Sequence, residues 1–304
     1  MKVTQVKALE KIANKIRIDL INEIYYAKSG HPGGSLSCSD ILTVLYFNEM
    51  NIDSSKPNDI ARDRFILSKG HASSALYATL AERGFFPKEE LCTFRNINSN
   101  LQGHPSMEKV PGVDMTTGSL GQGLSIANGM ALASKMDQMG NRVYCLLGDG
   151  ELEEGQVWEA VMTAVRYNLD NLCAIIDCNK LQLTGNTDEI KGLNCESIEQ
   201  KFRSFGFNTI TIDGNNIESI IQAFAIAERT KLKPSVIIAK TIKGKGISFM
   251  ENEAKWHGKA LNNEEYKKAI EELNTNEKEE TPIFESKIEN FLNQNNKKCT
   301  KEEK

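Results

Sequence analysis

The apolar run Arg142–Leu147 stops at Gly148-Asp149-Gly150, and a second, Leu172–Asp177, stops at Cys178-Asn179. An apolar run of that length ending on turn residues reads as a buried strand opening into a tight turn. Further runs of the same kind occur at Asp63–Leu67, 208–212 and Ser235–Ala239. Between them lie stretches with helical spacing, over 72–84, 121–139, 154–168, 197–204 and 216–230. Strand and helix therefore alternate four or five times, which predicts an α/β fold: a doubly wound parallel sheet with helices on both faces.

Before the first strand, Val6, Leu9, Ala13, Ile16, Leu20 and Ile24 recur every three or four residues and predict an amphipathic helix over 4–28. His31-Pro-Gly-Gly-Ser35 then reads as a turn whose glycines permit left-handed backbone. A second helix is expected over 38–48, capped by Ser37 or Ser39. Residues 93–118 and 183–188 have no period and read as loops, the first long enough to suggest function. After the last strand, 262–273 reads as a polar helix. Thr281-Pro282 opens another, with Phe284, Ile288, Phe291 and Leu292 on one side, and the tail from Asn295 is polar. No strong linker appears before residue 258, so one α/β domain over 1–275 is expected, followed by a 276–304 extension.

Composition removes several functions. A net charge of −4 and a pI near 5.8 give no electrostatic footprint for nucleic acid. No apolar run approaches the roughly 20 residues that span a bilayer, and the N-terminus lacks the features of a secretory signal. The seven cysteines are irregularly spaced with no C-x-x-C pair, so neither zinc nor a disulfide framework is expected. That usage fits a reducing cytoplasm.

Asp149 and Asn179 would place a carboxylate and an amide oxygen at two strand tips, where open α/β sheets bind ligands. Oxygen donors suit a hard cation such as Mg²⁺, which can carry a diphosphate. The chain has four histidines, His31, His71, His104 and His257, and each is flanked by glycine. Imidazole exchanges protons near neutral pH, and glycine turns expose it to ligands. No two share a zinc-type spacing. Thr116-Thr-Gly-Ser-Leu-Gly-Gln-Gly123 could present amides to an anion or heterocycle but is not a dinucleotide fingerprint. Lys243-Gly-Lys-Gly246 lacks the order of a P-loop and reads as a solvated basic turn.

Taken in order, Gly-His31-Pro-Gly-Gly, Ser-Lys-Gly-His71, Gly-His104-Pro, Thr-Thr-Gly118-Ser-Leu-Gly-Gln-Gly, Gly-Asp149-Gly-Glu…Asn179, Lys-Gly-Lys-Gly and Trp-His257-Gly resemble the N-terminal part of transketolase, collinearly over about residues 5–275. The resemblance implies the thiamine-diphosphate-binding fold and, position by position, a set of roles. Asp149, Asn179 and the main-chain carbonyl of Leu181 would hold Mg²⁺, with Ca²⁺ or Mn²⁺ able to substitute. Gly150, His71 and His257 would meet the diphosphate, and Gly118 and Leu120 the heterocyclic rings. His31, His104 and His257 would line the substrate channel, with His71 beside them. Glu154 and Glu159 would stand near a subunit interface that couples two active sites. Ser119 departs from the proline common there.

A complete transketolase is about twice this length, and nothing after residue 258 stands in for its pyrimidine-binding and C-terminal domains. The resemblance therefore implies the N-terminal subunit of a split transketolase. It would transfer a two-carbon ketol unit between sugar phosphates together with a C-terminal subunit, in an α₂β₂ assembly. The glycine-rich helix 121–139 is the candidate contact surface. The alternatives are a subunit of another thiamine-diphosphate enzyme, such as a 2-oxo-acid dehydrogenase α-type chain or a transketolase for a modified sugar, and a non-catalytic cofactor-binding module.

Overall fold

The computed structural model describes residues 3–275; the expected helix from Thr281 and the polar tail lie outside the described residues. In chain order the elements are α1 (Val3–Ala27), α2 (Pro32–Ser37), α3 (Ser39–Val44), β1 (Arg64–Leu67), α4 (Ser73–Arg83), α5 (Gly123–Met136), β2 (Val143–Gly148), α6 (Gly155–Arg166), β3 (Leu172–Cys178), β4 (Leu181–Gln182), β5 (Gly185–Asn186), α7 (Thr187–Lys191), α8 (Cys195–Phe205), β6 (Asn208–Asp213), α9 (Ile217–Arg229), β7 (Ser235–Lys240) and α10 (Asn263–Thr275). Five strands pair in parallel in the order β1-β2-β3-β7-β6, as the alternation predicts.

The central strands are buried on both faces, and their residues alternate between two cores. Tyr144, Leu146, Cys173, Ile175, Ile237 and Ala239 join the core under α1, α3, α4, α9 and α10. Val143, Cys145, Leu147, Ala174, Ile176, Val236 and Ile238 join the core under α5, α6 and α8. A continuous apolar run is what such a doubly covered strand requires. Because β6 lies outside β7, the chain passes over the β7 position and returns, so the winding reverses between β3 and β7. The carboxyl ends on either side of that reversal form the crevice where α/β sheets take ligands.

Several local expectations change. Pro32-Gly-Gly-Ser35 is the opening of α2 and not a turn: His31 precedes it and Pro32 takes the first helical position, where its missing N–H costs nothing. Its glycines serve close approach, since a Cβ on Gly33 would meet the Trp256 carbonyl at 2.9 Å. The 38–48 segment is α3 followed by a π-helical turn, Leu45–Glu49, and Cys38 precedes it without a side-chain cap. The 183–188 loop belongs to the small β4–β5 hairpin and the start of α7.

The cysteines also depart from expectation. Cys178, at the tip of β3, and Cys195, the first residue of α8, form a disulfide. Their separation of 17 residues carries no motif; the return of the 179–194 segment brings them together. Cys38, Cys92, Cys145 and Cys173 are free and buried, the small apolar role that their setting suggests.

Candidate functional site

Strand tips and the loops behind them build the site. β1 runs into Ser68-Lys-Gly-His71, β2 into Asp149, β3 into Asn179 and β7 into Thr241–Lys243. Parallel pairing sets Gly148 opposite Asp177, and Cys178 opposite Lys240, so all four segments emerge on one edge of the sheet.

The hub is Asp177, the penultimate residue of β3, which is wholly buried. Its Oδ2 accepts from Lys69 Nζ at 2.5 Å, Ser37 Oγ at 2.5 Å and Asn179 Nδ2 at 3.1 Å. Its Oδ1 accepts from Thr241 Oγ1. Lys69 Nζ also donates to the Gly34 carbonyl at 2.6 Å. One carboxylate thus ties together α2, the loop of His71, the tip of β3 and the start of the Lys243 loop. Burial alone would push Asp177 up and Lys69 down. The pairing wins, holding Asp177 below and Lys69 above its ordinary value. By accepting the Asn179 amide N–H, Asp177 also fixes which end of that amide is left as an acceptor.

Asp149 is buried as well. Its Oδ1 accepts from the Gly150 N–H at 2.8 Å and its Oδ2 from the Lys180 N–H at 2.5 Å. Burial, then the negative charge of Asp177, lifts its pKa to about 7 against these bonds. The third oxygen, the Leu181 carbonyl, accepts from Lys243 Nζ at 2.7 Å. A buried carboxylate short of positive charge, an amide oxygen and a carbonyl already facing a cation make an all-oxygen set, which fits a hard divalent ion. No group of three or more His, Cys, Asp or Glu side chains suited to a metal occurs among the described residues; the oxygen set does not depend on one.

Lys243 is not a solvated turn residue. It is 2% exposed, and Nζ also lies 3.0 Å from His257 Nδ1. Burial, then Lys69, lowers its pKa to about 8. Since an ammonium only donates, His257 accepts at Nδ1 and carries its proton on Nε2.

The structure brings three of the four histidines into a triangle. Ring centroids are 5.2 Å apart for His31 and His71, 5.4 Å for His71 and His257, and 5.7 Å for His31 and His257. Burial is the first cause that lowers their pKa values, to about 4 for His31, 2 for His71 and 3 for His257. Arg95 adds to it at His31, Lys69 at His71 and Lys243 at His257. All three are neutral at pH 7, able both to donate and to accept.

His104 joins through the glycine loop. A Cβ on Gly70 would meet the Gly118 nitrogen at 2.8 Å, and one on Gly118, whose φ is +145°, would meet the His104 ring at 3.1 Å. His104 is exposed, and its pKa is lowered by burial and by Arg95. Leu120, Glu154 and Glu159 do not face the triangle through any described bond, and all three are exposed. Glu154 packs against Gly121, where a Cβ would come within 2.7 Å of its own.

Sequence reasoning passed over Asp177, Lys69, Lys243 and Glu151. Glu151 accepts from Ser68 Oγ, the Gly121 N–H at 2.9 Å and the Gly148 N–H at 3.0 Å, joining the loops after β1 and β2 to the glycine loop. Its available signal was position: an acid directly after Gly148-Asp149-Gly150.

The family described as the transketolase, thiamine diphosphate binding domain, matches residues 8–304. One of the two chains of the apulose-4-phosphate transketolase of Phocaeicola vulgatus is 45% identical over 88% of this chain and 95% of its own length. A 6-deoxy-6-sulfo-D-fructose transketolase subunit of a Clostridium species is 48% identical over 87% of this chain and 96% of its own. The crystal structure of Campylobacter jejuni transketolase superposes with a TM-score of 0.82 at 36% identity, over 90% of this chain and 43% of that one. The chain thus spans nearly all of the two shorter relatives but less than half of the longer enzyme. It belongs to the transketolase family, as its thiamine diphosphate binding domain.

Proposed function

We propose that the chain is the diphosphate-binding subunit of a two-chain transketolase that moves a two-carbon ketol unit from a ketose phosphate to an aldose phosphate. The observation that carries this reading is the triangle of neutral histidines beside the Asp149, Asn179 and Leu181 oxygens at the strand tips. In it, Asp149, Asn179 and the Leu181 carbonyl hold Mg²⁺, and Gly150 and His71 meet the diphosphate. Gly118 and Leu120 offer backbone to the rings. Thiamine diphosphate, when bound, supplies the nucleophilic carbon and the electron sink.

This chain's side chains handle protons and position. Buried Lys243 adds positive charge beside the diphosphate position and keeps His257 a donor at Nε2. His31, His104 and His257 bond the sugar hydroxyls and relay their protons, a task suited to imidazoles neutral at working pH. The partner is a C-terminal subunit that completes the site from the other side, in an α₂β₂ assembly within the cytoplasm. Glu154, Glu159 and the outer face of α5 lie on the contact surface. Exposure of both glutamates and the open space beside Gly129 support that placement.

Named activities of the two relatives of similar length favour a second reading, in which the donor is a modified sugar and the chemistry is unchanged. The test pairs the chain with its C-terminal subunit, Mg²⁺ and thiamine diphosphate. Ketol transfer from xylulose 5-phosphate or a modified ketose to ribose 5-phosphate is expected. Decarboxylation of pyruvate without any ketol transfer would overturn the reaction class.

A further inference from the structure

His104 lies on a segment without helix or strand, yet its backbone is held at three successive carbonyls. From α4, Tyr77 OH donates to the Gln102 carbonyl at 2.9 Å and reaches the His104 carbonyl at 3.3 Å. One turn earlier on the same helix, Ser73 Oγ donates to the Gly103 carbonyl at 2.9 Å. Residues four apart share a helix face, so the two hydroxyls form one edge along residues 102–104. Both side chains are wholly buried, and the Tyr77 ring packs edge-on to Phe94 at 6.0 Å.

The other side of the segment is held by Arg95. Its backbone N–H donates to the Leu101 carbonyl at 2.8 Å, closing the 95–101 loop at a residue with φ of +60°. Its guanidinium donates to Ser29 Oγ at 2.8 Å and lies 3.4 Å from His31 Nδ1. A Cβ on Gly103 would meet that guanidinium at 2.9 Å, so glycine is required there. A left-handed non-glycine residue is strained and persists where its surroundings over-determine it. Here they do: Arg95 spans the gap between the turn of His31 and the loop of His104.

We propose that Tyr77, Ser73 and Arg95 are positioning residues for the reaction, fixing His104 relative to His31 so that both meet one substrate. None of the three is required to touch substrate; α4 supplies the fixed edge and Arg95 the link between two loops. This rests on the substrate-facing role of His104 proposed above, and the experiment separates the two.

In the complex with the C-terminal subunit, Mg²⁺ and thiamine diphosphate, Tyr77→Phe keeps the ring and removes only the hydroxyl. Displacing a positioned group by about 1 Å can cost up to ~100-fold. The expected result is a roughly 10- to 100-fold fall in kcat/KM with xylulose 5-phosphate and ribose 5-phosphate, and unchanged affinity for thiamine diphosphate. Ser73→Ala should act in the same direction and Ser73→Thr, which keeps a hydroxyl, should recover most of the loss. In the chain alone, NMR titration of the histidine rings should show His104 moving toward its ordinary pKa in Tyr77→Phe while His257 stays put. If Tyr77→Phe and Ser73→Ala stay within about twofold of the parent while His104→Ala is severely impaired, the positioning role is wrong. If His104→Ala is itself silent, the substrate role of His104 falls instead, and an unmoved His104 titration in Tyr77→Phe would still overturn the clamp.

Discussion

The two sides of the site are built differently. On the sheet side, Asp177, Lys69, Lys243, Asp149 and Glu151 are almost wholly buried, and each makes at least two hydrogen bonds. On the outer side, His104, Leu120, Glu154 and Glu159 are exposed, and backbone packing holds them more than side-chain bonds do. The contrast is one of dielectric. Charges taken out of water must be paired to survive, so the sheet side is over-determined within this chain alone. Exposed groups carry no such requirement, and the outer side is free to be completed by another surface.

The strongest consequence of this contrast falls on the sheet side. Lys69→Met leaves Asp177 buried without its counter-charge, and unfolding free energy should fall by about 3–5 kcal/mol, read by urea denaturation. An unchanged urea midpoint would mean that the hub is solvated. Asp149→Ala should keep the fold and abolish Mg²⁺-dependent binding of thiamine diphosphate, followed by calorimetric titration. Retained metal dependence would move the cation elsewhere.

Titration separates the buried side further. His31, His71 and His257 have depressed pKa values in the folded chain, so the unfolded chain takes up protons first as pH falls below about 6.5. Their contribution to stability is in place above that value and is lost as pH falls toward the folded values near 4, 2 and 3. The raised pKa of Asp149 works in the opposite direction, so the test is comparative. His71→Asn should flatten the decline in urea midpoint between pH 7 and pH 5 relative to the parent chain. The weakest effect belongs to the outer side: Glu159→Ala should shift stability by less than about 0.5 kcal/mol while weakening association with the partner subunit, read by sedimentation.

The same contrast explains what the sequence could reveal. Asp149 and Asn179 were legible because each follows an apolar strand, and the histidines because glycine flanks each one. The parallel sheet followed from its doubly buried strands. Asp177 was hidden inside the apolar run that defines β3, where its side chain looks like part of the strand. Lys69 and Lys243 sit in short basic contexts that resemble solvated turns, and only the fold shows that their Nζ atoms end on Asp177 and the Leu181 carbonyl. The Cys178–Cys195 bond and the Tyr77 clamp join segments with no shared local pattern. Pairings that depend on tertiary return leave little trace in spacing.

Whether the exposed side needs a second polypeptide is decided by one ketol-transfer assay. It compares the chain alone with the chain plus its C-terminal subunit, each supplied with Mg²⁺ and thiamine diphosphate. A half-site predicts no turnover from the lone chain and turnover that rises with added partner until it saturates at a fixed ratio. Full turnover by the lone chain would contradict it, because the exposed side would then need no other surface.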